Sequence, residues 1–270
     1  MKPHQYHSVR SFGSRGKAKG KFDNPYDIAT NAMTGNIAVA DRNNKRVQLF
    51  SSDGIYLRGY DRKGLNAKKL DHPISVAFNR SGDLTICDSG RIFLFTECGQ
   101  LIKNTRNENL IEPGDMTIAC DGRMLVCDMA DNTVKVLSND GTELVQSFRA
   151  PGCHEFPWLA LRHQDTFYVS YVWAHCVKVF NNEGEFQYDI GTDGPGKLRC
   201  PAGLAVDKFN NLVVCDAENG NVQTVNLEGK FVNSIKREAT DLETPVGVTV
   251  SNTGQLFITD AGKHCVYIFE

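Results

Sequence analysis

Several features that would place a chain in a membrane, a redox centre or a nucleotide-processing enzyme are missing here. No apolar run approaches the roughly 18 residues of a membrane span, and Met1–His7 lacks the apolar segment of a secretory leader. The nine cysteines include no C-x-x-C pair, which removes the usual zinc-knuckle and thiol-redox spacings. There is no G-x-S-x-G, and the glycine- and lysine-rich Gly13–Gly20 precedes an apparent strand rather than a helix, so it is not a phosphate loop. His72, His154, His175 and His264 sit in separate loops without H-x-H spacing, so neither a catalytic metal nor another cofactor is expected. A long helical period is absent too, and a formal net charge of −2 gives no overall surplus of either sign.

What remains is a 270-residue chain, 41% hydrophobic, punctuated by Gly, Asn and Asp. Leu198–Ile235 shows the unit. Short apolar runs at Leu204–Val206, Leu212–Cys215, Val222–Val225 and Phe231–Ile235 are separated by turn residues, which predicts a four-stranded antiparallel meander. One meander cannot bury both faces, and self-comparison finds the unit six times. Its opening proline recurs at Pro25, Pro73, Pro113, Pro157, Pro201 and Pro245, about 44 residues apart, in the range of propeller blades. An aspartate closes the second strand at Asp41, Asp88, Asp128, Asp216 and Asp260, with Tyr171 breaking the pattern in the fourth unit. A small residue precedes each of these positions (Ala40, Cys87, Cys127, Ser170, Cys215, Thr259), as crowded sheets around a channel require.

The expected fold is therefore all-β, a six-bladed β-propeller occupying residues 1–270 as one domain. Tyr6–Phe12 reads as an isolated outer strand, whereas the sixth unit stops after its third strand, Cys265–Phe269. The two fragments complete each other, so the N-terminal strand should close the ring and remove its free edges. Unpaired cysteines on predicted buried strands suit a reduced, cytoplasmic chain, in which they serve as small apolar residues.

The first unit contains F-G-x-x-G-x-x-x-G-x-F, then x-x-P, then N-I-A-V-A-D-R-N-N-K-R-V-Q-L-F and S-S-D-G. That order and spacing resembles the NHL repeat, best known as the C-terminal propeller of TRIM-NHL proteins. The resemblance runs the length of the chain. The fourth unit, with A-H-C-V-K-V-F, is similar to the corresponding blade of the Brat-like, RNA-regulating branch.

Propeller geometry sorts the loops onto two faces. Loops before each proline and loops joining second to third strands share the face called the top. Near the first two blades it gathers Arg15, Lys17, Lys19, Lys21, Arg42, Lys45, Arg46, Arg62, Lys63, Lys68 and Arg91, with Tyr26 beside them. Around the fourth blade it carries Phe156, Trp158, Tyr171, Trp173 and His175, and Arg199 follows in the fifth. Cations draw phosphates whatever the net charge, and exposed rings suit unpaired bases. These residues form the candidate RNA-binding set, without catalytic members. The same residues have plainer roles: an ordinary solvated face for the cations, a blade cap for Trp158, a plug at the channel mouth for Phe156 and Tyr171.

The resemblance implies a matching function, since RNA-binding NHL propellers take short single-stranded motifs across the top, often with an aromatic before the proline. Phe156 matches that position; Asn24, His72, Glu112, Cys200 and Thr244 do not. The expected role is a monomeric module binding single-stranded mRNA in 3′ untranslated regions for translational repression, without membrane association. The alternative is a platform recruiting proteins, such as co-repressors or substrates, to a TRIM-type E3 ubiquitin ligase. Its RING and B-box zinc-finger domains would lie outside this chain, so no enzyme is expected here.

Overall fold

Each repeat folds as a meander because its apolar runs are as long as a strand and its turns hold residues that accept a positive φ. In the shortened second unit, Ser89 and Gly90 at φ 48° and 78° close a two-residue turn between paired Asp88 and Arg91, a conformation matched to the twist of a hairpin. A computed structural model describes residues 5–60, 70–152, 154–235 and 241–270. Six four-stranded antiparallel sheets follow one another around a ring. The innermost strands are Pro25–Thr30, Pro73–Phe78, Pro113–Ile118, Leu159–His163, Pro201–Val206 and Pro245–Val250.

Closure occurs as the two terminal fragments suggested. Ser8–Phe12 pairs antiparallel with Cys265–Phe269, placing Ser8 opposite Phe269 and Phe12 opposite Val266. The His7 N–H donates to the Glu270 carbonyl at 2.9 Å, and the Glu270 N–H returns to His7 at 3.1 Å. The first strand is thus the outer strand of the sixth blade, so neither end of the ring offers an unpaired edge to another sheet.

Apolar runs are continuous rather than alternating because both faces of each inner sheet are covered by a neighbouring blade. Ile37 and Val39 pack against Phe257 and Ile268 of the sixth blade, while Ala38 and Ala40 meet Ile86 and Phe93 of the second. Comparable apolar clusters fill the other blade junctions. The small residues before the repeated aspartates face the next blade. Where that residue is polar it bonds across the junction: Ser170 Oγ donates to the Ala202 carbonyl at 2.7 Å, and Thr259 Oγ1 to that of Tyr26 at 2.8 Å.

Those junctions leave no room for growth. A Cβ built on Gly247 would stand 2.7 Å from the Tyr26 carbonyl oxygen and 2.9 Å from Thr259 Oγ1. Gly247→Ala should therefore cost about 1–3 kcal/mol through forced backbone displacement. A denaturant titration that leaves the midpoint unchanged would show the first and sixth blades to be less tightly apposed.

Candidate nucleic-acid interface

The repeated aspartates build the top face. Each is almost fully buried, and its carboxylate receives N–H groups from the loop entering its own blade. Asp41 accepts from Asp23, Asp88 from Asp71 and His72, Asp128 from Ile111 and Glu112, Asp216 from Arg199, and Asp260 from Glu243 and Thr244. These bonds hold the entry loops, and the side chains they carry, in fixed positions. In the fourth blade Tyr171 takes the aspartate's place, and the ring inherits its burial.

The first-blade cations divide into free and committed groups. Arg15, Lys17, Lys19 and Lys21 are exposed, with Lys19 Nζ 5.6 Å from the centre of the Tyr56 ring. Arg46, grouped with them on sequence, is an organising residue: its guanidinium donates to the carbonyls of Lys17 and Ala18 at 2.9 Å and of Lys21 at 2.7 Å. Its Nε donates to Asp41 at 2.7 Å, and the side chain is only 12% exposed. Arg46 shapes the basic loop, and its guanidinium is already engaged there. Lys45 is exposed but paired with Asp71 at 2.9 Å, and Arg91 is half-buried. Arg62, Lys63 and Lys68 lie outside the described residues.

Across the ring centre runs a stack that the repeat pattern alone did not reveal. The Arg42 guanidinium lies 4.8 Å from the Tyr26 ring centre, and that ring lies 5.6 Å from Trp158. Tyr26 follows the first blade's proline, and Trp158 follows the fourth's. These blades face each other across six, so the stack bridges the axis and covers the top of the channel. Tyr26 is buried and Trp158 half-buried. Burial pushes the Tyr26 phenol well above its ordinary value despite the opposing charge of Arg42. The plug is therefore Tyr26 with Trp158, not Phe156 with Tyr171.

Tyr171 is 1% exposed, packed with Phe167, Cys176 and Phe180, so its face is unavailable to a base. Phe156 is half-buried. Trp173 is the open ring, 56% exposed. Beside its loop lies a cleft of about 490 Å³ between the fourth and fifth blades, lined by His175, Lys197, Leu198, Arg199 and Asn219. His175 Nδ1 accepts the Cys200 N–H at 3.1 Å, fixing the imidazole as a wall of the cleft. The Arg199 guanidinium pairs with Glu218 at 2.5 Å yet stays exposed.

Lys197 and Asn219 were not among the sequence candidates. The signal for Lys197 was its place in a loop entering a blade, the same loop class that yielded Lys19 and Lys21. Among the described residues, no three His, Cys, Asp or Glu converge as metal ligands. The face can therefore offer cations on opposite sides of the ring, one open indole and a polar cleft.

Comparison with known proteins fits this scaffold. A family model for the NHL repeat matches residues 198–224 and 242–269, the fifth and sixth blades. Those two blades match the NHL repeat, and the whole chain is a six-bladed propeller. It is similar to the human E3 ubiquitin-protein ligase TRIM32, 24% identical over 293 residues, covering 97% of this chain and 44% of that protein. It also matches the Drosophila melanogaster protein brain tumor, 29% identical over 137 residues, covering 49% of this chain and 13% of that one. The chain thus spans less than half the length of these relatives. Among solved structures, the WD40 propeller of Doa1 superposes with a TM-score of 0.67 at 15% identity, over 98% of this chain and 97% of that one. A streptogramin B lyase superposes with a TM-score of 0.68 at 14% identity over the same shares. At such identity the likeness is one of fold. No helix among the described residues is long and apolar enough to cross a membrane.

Proposed function

We propose that the top face of this NHL propeller binds single-stranded RNA, as a cytoplasmic module of a Brat-like regulator acting on mRNA 3′ untranslated regions. The observation that carries this reading is the open Trp173 ring on the loop whose His175 lines the Lys197–Arg199 cleft. An exposed indole on a loop bordering a cleft with two basic side chains is suited to a base flanked by phosphates. Arg15, Lys17, Lys19 and Lys21 supply further phosphate contacts across the ring, while Arg42 anchors over the channel cap.

Each role has its own readout. Trp173→Ala should weaken RNA binding by about 1–3 kcal/mol, the contribution of one stacked base, and alter preference among sequences. Lys19→Glu with Lys21→Glu should weaken all sequences alike and flatten the salt dependence. A filter-binding titration of random single-stranded RNA at two salt concentrations checks both. Binding that neither variant disturbs would remove RNA from this face.

The second reading is a protein-recruiting platform, favoured by similarity to TRIM32, whose name records an E3 ubiquitin ligase. Ligase chemistry would then belong to domains outside this chain. No saturable RNA binding near physiological salt selects this reading over the first.

A further inference from the structure

On the opposite side of the Tyr26–Trp158 cap, the six innermost strands enclose a cavity of about 260 Å³. Its walls mix aliphatic side chains, Ile28, Val76, Met116, Leu204 and Val248 among them, with Thr30, Thr117 and Thr249, and Val250 stands at the last position of its strand, toward the bottom face. Drug-sized sites are roughly 300–1,000 Å³ and combine apolar walls with a few convergent polar groups, so this volume suits something smaller. Asp27 lines the cavity near its covered end. Its Oδ2 accepts from Ser75 Oγ at 2.8 Å and the Val76 N–H at 2.7 Å, and its Oδ1 from the Ile28 N–H at 2.7 Å.

Asp115 of the third blade stands behind it, its Oδ1 accepting the Met116 N–H at 2.8 Å. Both carboxyls are fully buried, and burial pushes both above the usual carboxylate range; the charge of Asp27 raises Asp115 further. With three donors on Asp27, the proton the pair shares resides mainly on Asp115. The other titratable or charged groups near the pair are the Tyr26 phenol, Arg42 beyond it, and the buried thiols of Cys87 and Cys127. Among the described residues neither carboxyl forms an ion pair, unlike Asp41 with Arg46 or Asp128 with Lys135. A buried carboxylate facing an apolar cavity without a counter-charge is complementary to a cation that brings its own apolar body.

We propose that the central channel binds a small organic ammonium ion, its N–H groups donating to Asp27 and its apolar part filling the aliphatic walls. The site is separate from the RNA-binding face and does not rest on that reading.

The test uses n-hexylammonium, 1-hexanol and hexanoate against the whole chain, read by calorimetry and ligand-observed NMR. Hexylammonium should bind saturably at pH 7.5, at least tenfold more tightly than hexanol, with hexanoate weakest; lowering the pH to 5 should weaken the amine severalfold as Asp27 protonates. Asp27→Asn should erase the preference for the amine. Val250→Trp, which narrows the mouth without touching the acid pair, should abolish binding of all three probes. Equal affinity for amine and alcohol would reduce the channel to an apolar hole, and absence of binding by any probe would remove the site. Should Asp27→Asn fail to fold, full-strength amine binding by Val250→Trp would by itself overturn the proposal.

Discussion

Asp128→Ala should lower the unfolding free energy by about 3–5 kcal/mol, the cost of breaking a buried ion pair by removing one partner. Lys135 is 6% exposed in its side chain, with Nζ 2.7 Å from Asp128, 2.8 Å from Asp131 and 2.6 Å from the Asn109 carbonyl. The substitution leaves that ammonium with one carboxylate and also strands the N–H groups of Ile111 and Glu112. Burial alone would raise the Asp128 carboxyl, but Lys135 and the backbone donors outweigh it and hold the group below its ordinary range. The stabilisation is therefore present above the unfolded carboxylate value and is lost as pH falls through the folded one. Denaturant unfolding of Asp128→Ala, beside the double variant Asp128→Asn with Lys135→Met, separates charge from packing. The double variant should lose far less, since no buried charge is left unpaired and Asp131 stays solvated and bonded to Thr133. A double variant as unstable as the single one would trace the loss to the entry loop and not to the pair.

The architecture was legible because it is repeated. Prolines and aspartates at a constant interval disclose six units, and two incomplete end fragments disclose how the ring closes, since a propeller removes exposed edges by joining first and last strands. Site residues depend on side-chain direction, which repetition does not encode. Arg46 looks like its exposed neighbours until the folded loop brings three carbonyls around its guanidinium. Tyr171 carried a usable warning: it replaces a repeated aspartate that is buried in every other blade, and a residue standing in a buried place is buried. Tyr26 and Trp158 carried another, as both follow the proline of blades three apart, which a six-membered ring sets face to face. Asp27 and Asp115 stand two residues after the prolines of the first and third blades, with Ser75 at the same place in the second, and the ring brings the three together.

That pair should reverse the usual dependence of stability on pH. Asp128 favours folding once ionised, whereas Asp27 and Asp115 take up protons more readily in the folded chain than in the unfolded one. Both are raised by burial, and Asp115 also by its neighbour's charge. The folded state then binds more protons between the ordinary carboxylate value and the raised ones, so this contribution weakens as pH climbs through that window. Asp115→Asn supplies a neutral side chain that needs no proton on folding while keeping an acceptor for the Met116 N–H. Removing that proton demand should stabilise the chain by on the order of 2 kcal/mol at pH 7.5, and by little at pH 4, where both carboxyls are already protonated. The difference between variant and parent cancels the titrating groups outside this pair, so melting temperatures at the two pH values decide the matter. A variant that melts with the parent at both would mean that Asp115 serves only as a hydrogen-bond acceptor, a role asparagine fills, and that the folded chain holds no raised carboxyl there.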